Sequence, residues 1–94
     1  QAGKQTGERV WHLPLPDEYR SQLDSNIADV KNIGSNWGGA LTAGLFLKEF
    51  VSEEVPWAHL DIAGPAFADA PWGEHPKGGT GFGVRLLVDL IENF

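Results

Sequence analysis

Residues 40–51, ALTAGLFLKEFV, constrain the fold more than any other feature of the sequence, because they are apolar on nearly every side of a helix. The residues at helical spacing are Ala40, Ala43, Leu47, Phe50 and Val51. A helix with apolar residues all round is typical of a position inside a protein. We therefore predict a well-buried helix over residues 38–51. Gly44 would cost this helix about 1 kcal/mol relative to alanine unless another backbone packs closely against it.

Two segments that flank this helix have sequences typical of strands. Residues 27–33 are half apolar and are followed by Gly34. In residues 57–63, WAHLDIA, successive side chains would alternate between two faces of a strand. The order strand, helix, strand predicts a βαβ unit, in which the two strands are parallel and the crossover is right-handed. The fold class expected from this order is α/β.

The predicted sheet is incomplete. Parallel sheets need cover on both faces and more than two strands, and the sequence offers only two convincing ones. A chain of 94 residues buries roughly 60 to 65 % of its unfolded surface, so its stability margin is thin. The sequence also starts with Gln1 rather than Met. We therefore expect residues 1–94 to be a single, incomplete domain, the tail of a larger α/β enzyme.

Two further helices are expected. Pro14 and Pro16 favour an extended entry, and the acidic residues after them are typical of a first helical turn, which predicts a short helix over residues 17–24. From Thr80 onward apolar residues recur at spacings of three and four, which predicts an amphipathic helix to the last residue. Its apolar residues are Val84, Leu87, Val88, Ile91 and Phe94.

Composition excludes several classes of function. The formal net charge is −6 and no cluster of Lys or Arg is present, so nucleic acid is not an expected partner. No apolar run approaches the ~20 residues of a membrane span, so no membrane association is expected. Cysteine is absent, which excludes disulfides and thiolate metal sites and is consistent with the cytoplasm.

The long segment between residues 64 and 81 would lie at the ligand-binding edge of the sheet, where the carboxyl ends of parallel strands meet. It is also longer than most connecting loops. Its end, PKGGTGFG, has glycines before a helix, which can cradle phosphate, but completes neither nucleotide-binding fingerprint. A small anion-binding or interaction module remains an alternative, and a surface loop that only joins two elements is another.

Metal binding by the chain itself is a third hypothesis. His59 and Asp61 share one strand face and could ligate a metal or form a base and its orienting carboxylate. A self-contained metal hydrolase would use these two residues with His12 and His75. We favour a structural role for the pair, because no third ligand follows at a suitable spacing.

Several segments, in order and at matching spacing, resemble the C-terminal end of the leucyl aminopeptidases, a metallopeptidase family. These segments are GERVWHLPLPDEYR, ADVKNIG, GGALTAGLFLKEFV, WAHLDIAG and KGGTGFGVRLLVDLI. The resemblance spans nearly the whole chain, although it corresponds to only about the last fifth of a family polypeptide. It implies an incomplete, βαβ-based part of a three-layer α/β/α metallopeptidase domain.

The resemblance also implies a function for the whole enzyme. Such enzymes are cytoplasmic homo-hexamers that release N-terminal residues from peptides by means of two divalent metal ions, Zn or Mn. The family takes its metal ligands and a catalytic Arg from regions around an Asn-Thr-Asp-Ala-Glu-Gly-Arg motif, which is absent here. We therefore assign no catalytic residue and no metal ligand to this segment, and we expect the isolated chain to be inactive. Its partner would be the remainder of the catalytic domain.

The resemblance also implies that this segment contributes substrate-binding residues. By match, Ala63 and Ala66 would line the site that receives the first side chain of the substrate, and two small residues would leave room for a bulky aliphatic group such as leucine. Three departures from the family pattern affect the expected pocket shape: His12 in place of a frequent Arg, Trp37 in a loop of smaller or charged residues, and Pro65 in place of a frequent Thr.

Overall fold

The computed structural model describes residues 1–94 as three α-helices, one 3₁₀ helix and one short β-ladder. The elements are α1 (Ala2–Thr6), a 3₁₀ helix (Asp17–Leu23), α2 (Gly39–Lys48), β1 (Phe67–Ala68), β2 (Gly78–Gly79) and α3 (Val84–Glu92). They belong to two compact units: the discontinuous unit, residues 1–11 and 62–94, and the central unit, residues 12–61. No helix is both long and apolar enough to cross a membrane.

In the central unit, α2 packs against the 3₁₀ helix. Leu23 is fully buried and Leu45 is 4 % exposed, and these two leucines form the apolar core of the unit. Arg20 links the same two helices by its ion pair with Glu49, which directly follows α2, and it also pairs with Asp24 at the end of its own helix. The hydrogen bond to Glu49 is the main cause of a raised pKa of the Arg20 guanidinium, and the charges of Glu49 and Asp24 raise it further.

The predicted helix at residues 38–51 is confirmed as α2, but its buried face differs from the prediction. Thr42, Gly44 and Leu45 are the buried residues, whereas Leu47 and Phe50 are exposed. Gly44 is where the packing is tightest: a Cβ built there would lie 3.0 Å from Leu15 Cδ2 and 3.5 Å from His59 Cδ2. Side chains rather than backbone therefore fill the space that this glycine leaves.

The two predicted strands do not form a ladder in this chain. Residues 27–33 make bends, and the Ser25 hydroxyl accepts hydrogen bonds from the backbone N–H groups of Ile27 and Ala28, which turns the chain. Ile27 is 98 % exposed and Ile33 76 % exposed. A strand exists only through a ladder of hydrogen bonds to a neighbour; Lys31 N–H donates to the Leu23 carbonyl at 2.7 Å, but no ladder forms there.

Residues 57–63 are likewise outside any strand, and burial alternates only over residues 57–60. Trp57 and His59 are half-buried with their rings stacked 6.4 Å apart, and the residues between and after them, Ala58, Leu60 and Ile62, are exposed. Asp61 and Ala63, which the alternation places on the same face as Trp57 and His59, are exposed, so the predicted faces differ in burial only at the start of the segment. The parallel βαβ pairing expected from the sequence is therefore not made within these 94 residues.

In the discontinuous unit, α1 packs on α3, and β1 pairs with β2 in antiparallel register, with Phe67 opposite Gly79 and Ala68 opposite Gly78. The buried apolar residues here are Ala68 and Leu86, each 4 % exposed. The amphipathic helix predicted from Thr80 onward is confirmed as α3, which begins four residues later at Val84. Its predicted apolar face is exposed, with Val84 at 63 % and Ile91 at 75 %, because α1 covers the side that carries Leu86.

Candidate functional site

Small residues form a tight turn directly after residue 62. The backbone N–H of Ala66 donates a hydrogen bond to the carbonyl of Ile62 at 2.9 Å, which closes the turn over residues 63–66. Ala63 is exposed and Ala66 is half-buried. Both predicted pocket residues therefore lie in one turn, within a single unit of the structure. We call residues 62–66 the alanine turn.

Thr80 holds the alanine turn through two hydrogen bonds. Its backbone N–H donates to the carbonyl of Ala66 at 2.9 Å, and its hydroxyl donates to the carbonyl of Pro65. The same hydroxyl oxygen accepts a hydrogen bond from the N–H of Phe82 at 3.2 Å. The Thr80 side chain therefore ties the alanine turn to the segment that enters α3.

The entry to α3 is completed by a residue far away in sequence. The residue before the helix is Gly83, whose φ of 96° lies in the left-handed region and which has no side chain to cap the helix. Oε2 of Glu8 accepts hydrogen bonds from Gly83 N–H at 3.2 Å and from Leu86 N–H at 2.8 Å. One carboxylate oxygen thus satisfies two of the N–H groups that every helix start leaves without an intrahelical partner.

Charge complements this cap. Glu8 is only 5 % exposed, and its negative charge lies at the positive end of the α3 dipole. Arg85, in the first turn of α3, lies 3.6 Å from Glu8 Oε1 and donates a hydrogen bond to Glu74 at 3.3 Å. Two carboxylates thereby compensate a cation at the end of the helix where a positive charge is unfavourable.

A shallow cavity of about 350 Å³ opens beside this cluster and is lined by Glu8, Glu74, His75, Thr80 and Arg85 among others. The loop above it ends in a tight turn, in which Trp72 and His75 exchange backbone hydrogen bonds of 3.0 and 2.9 Å. Their rings also pack together, 5.1 Å apart. His75 therefore serves as part of a loop turn.

The four residues of the self-contained metal hypothesis are not brought together. His12 is exposed, and His59 packs against Trp57 and the Gly44 backbone. Nowhere in residues 1–94 do three His, Asp or Glu side chains form a group able to hold a metal ion. The donor set of this chain therefore does not fit a metal centre of its own.

An anion-binding site near Thr80 needs backbone N–H groups that are free to bind the anion. In the structure, several of these N–H groups already donate hydrogen bonds to acceptors within the protein. Thr80 N–H bonds to Ala66, Phe82 N–H to Thr80, and the N–H groups of Gly83 and Leu86 to Glu8. A buried carboxylate already stands where a phosphate would be bound. The glycines before α3 therefore serve an internal cap.

The pattern of the cytosol aminopeptidase family, catalytic domain, matches residues 1–88 of this chain. The chain belongs to the cytosol aminopeptidase family. Among curated relatives, it is 56 % identical over 93 residues to a probable cytosol aminopeptidase of Streptomyces avermitilis and 52 % identical over 92 residues to one of Aquifex aeolicus. These matches cover 98 and 97 % of this chain but only 18 and 19 % of the relatives, so the chain spans about a fifth of their length.

Solved structures agree with this assignment. A tomato leucine aminopeptidase superposes with a TM-score of 0.88 at 41 % identity, over 99 % of this chain and 18 % of that protein. The bottromycin maturation enzyme BotP, solved in complex with Mn, gives a TM-score of 0.91 at 45 % identity, over 98 % of this chain and 20 % of that enzyme. The expected family and α/β fold class are thereby confirmed.

The roles of Glu8 and Thr80 were not predicted from the sequence, in which Thr80 marked only the start of a helix. One feature did indicate the need for a residue such as Glu8. Helix α3 follows Gly83 and lacks a capping side chain of its own, so its first N–H groups need an acceptor from elsewhere in the chain. The sequence could not say which of its thirteen acidic residues would provide that acceptor.

Proposed function

We propose that this chain is the part of a metal-dependent aminopeptidase that supplies fold and one wall of the pocket for the first side chain of a peptide substrate. The observation that carries the proposal is the alanine turn, in a chain that belongs to the cytosol aminopeptidase family. Residues 1–94 would form one segment of the catalytic domain, and the reaction would be the release of N-terminal amino acids.

Ala63 and Ala66 would form the wall itself. Each ends at Cβ, so together they leave space for a bulky aliphatic side chain such as that of leucine. The backbone of Ala66 is fixed on both sides, by Ile62 through its N–H and by Thr80 through its carbonyl. A wall held in this way positions the substrate with little reorganisation, which favours a reactive geometry.

Metal chemistry would come from the remainder of the enzyme. In the whole protein two divalent ions, Zn or Mn, would polarise the scissile carbonyl and activate water, and the Mn complex of BotP supports a metal requirement. The residues of this chain form no group of three ligands, so we assign it no metal contact. Its own role would be to bind and orient the substrate.

The remainder of the catalytic domain would be the immediate partner of this chain. Large apolar side chains are widely exposed, among them Trp11 at 88 %, Ile27 at 98 % and Phe94 at 103 %. The relatives are roughly five times longer, so they have the polypeptide to cover such residues. A homo-hexamer in the cytoplasm that acts on peptide substrates is the assembly we propose for the whole enzyme.

A chimera tests the proposal directly. Residues 1–94 replace the matching 93 residues of the Streptomyces avermitilis relative, and hydrolysis of leucine anilide is measured with Mn²⁺. We expect an active chimera in which Ala66→Trp fills the pocket and raises KM for leucyl substrates by roughly tenfold or more. Ala70→Trp, which places the same side chain in the exposed loop beyond β1, is the matched control. Equal kinetics in the two variants would remove Ala66 from the wall.

A further inference from the structure

We infer that Glu8 is a positioning residue for the alanine turn and thereby for the discrimination among substrate side chains. The inference rests on the pocket wall proposed above. It concerns a buried carboxylate that lies outside the alanine turn and accepts hydrogen bonds at the start of α3.

The connection from Glu8 to the turn is short and continuous. Glu8 bonds to Gly83 N–H, Thr80 lies three residues before Gly83, and Thr80 in turn bonds to the carbonyls of Pro65 and Ala66. The Thr80 hydroxyl also accepts from Phe82 N–H, so the backbone between Thr80 and Gly83 has little freedom. Moving the start of α3 would therefore move the groups that hold the turn.

Glu8 is the residue that fixes the start of α3. Gly83 is left-handed and has the widest conformational choice of any residue type, so this helix entry is not determined locally. The carboxylate holds both ends of the first turn, Gly83 and Leu86, in the same place. Its burial means that water does not replace it as the acceptor without a change in the packing around it.

The test measures discrimination rather than activity alone. In the chimera, kcat/KM is determined for leucyl and alanyl anilides, and the ratio of the two values is compared among variants. Loss of folded enzyme lowers both values equally, so it leaves the ratio unchanged. We expect Glu8→Ala to lower the leucyl-to-alanyl ratio by roughly threefold or more, since a displaced wall no longer fits the larger side chain.

Glu74→Gln is the matched control. Glu74 pairs with the same Arg85 but is 68 % exposed and accepts no hydrogen bond from the α3 backbone. We expect this variant to keep the ratio of the parent chimera. Hydrogen–deuterium exchange of peptides that cover residues 62–83 gives an independent readout, and we expect faster exchange in Glu8→Ala than in Glu74→Gln.

The outcomes separate the inference from the proposed function. If Ala66→Trp raises KM while Glu8→Ala leaves both the ratio and the exchange of residues 62–83 unchanged, the inference is overturned alone. If Ala66→Trp and Glu8→Ala both leave the kinetics unchanged, the pocket wall is overturned and the inference with it. Should Glu8→Ala fail to fold, Glu8→Asp replaces it: this variant keeps the charge but is one methylene shorter, which withdraws the acceptor oxygen from Gly83 N–H and Leu86 N–H, and behaviour identical to Glu74→Gln contradicts the inference.

Discussion

Glu8 Oε2 lies 2.8 Å from the backbone nitrogen of Leu86, 78 positions further along the chain. This contact makes an N-terminal residue part of the start of the last helix. It also explains why α3 begins after a glycine without a capping side chain of its own. The first eleven residues and the last thirty-three therefore belong to one unit.

Removal of this carboxylate should destabilise the chain. Glu8→Ala leaves the N–H groups of Gly83 and Leu86 buried without an acceptor, and a lost buried hydrogen-bond partner costs roughly 1–3 kcal/mol. Urea unfolding followed by circular dichroism measures the free energy of unfolding. Glu74→Ala, at an exposed partner of the same Arg85, should change it much less. Equal losses in both variants would contradict a specific role for the cap.

Helix α1 packs closely against residues 8–10, so Gly3 should not tolerate a side chain. A Cβ at this position would lie 2.9 Å from the Glu8 carbonyl oxygen and 3.1 Å from Val10 Cγ2. We expect Gly3→Ala to lower the free energy of unfolding by about 1–3 kcal/mol, although alanine favours helix formation. Gln5→Ala, at an exposed position of the same helix, serves as the control. A stabilised Gly3→Ala variant would show that the contact relaxes freely.

Leu23 should be the most sensitive position of the central unit. It is the largest fully buried side chain, and the core around it is small. Leu23→Ala removes apolar contacts and leaves a cavity, which costs about 2–5 kcal/mol. Because a chain of this size has a small free energy of unfolding, we expect this variant to lose its cooperative unfolding transition. The same substitution at Leu13, which is 49 % exposed, should preserve the transition.

The isolated chain should not hydrolyse peptides. With no group of three His, Asp or Glu residues, it offers no site for the metal ions that the proposed reaction requires. The measurement is leucine anilide hydrolysis by the purified 94-residue chain with added Mn²⁺ or Zn²⁺, beside the active chimera as a positive control. Turnover above the rate of metal alone would overturn the assignment of catalysis to the remainder of the enzyme.

The sequence by itself determined three of the four helices, because the preferences that form them act over three or four neighbouring residues. Helix α1 (Ala2–Thr6) was not predicted. The 3₁₀ helix after Pro16, α2 and α3 all follow from apolar spacing and from acidic residues placed in a first turn. The family was also readable from the order of its segments, which the comparisons confirm.

Only the tertiary structure decided which faces are covered and which distant groups meet. Residues 27–33 and 57–63 have strand-like sequences, but a strand needs a ladder of hydrogen bonds with a neighbour, and these residues form none in this chain. The pairing of Glu8 with Leu86 could not be predicted, because the residues next to a carboxylate in the sequence do not indicate which distant helix it will cap. Burial and long-range hydrogen bonds depend on how the whole chain packs, and it is this packing that places Glu8 at the start of α3 and Thr80 against the alanine turn.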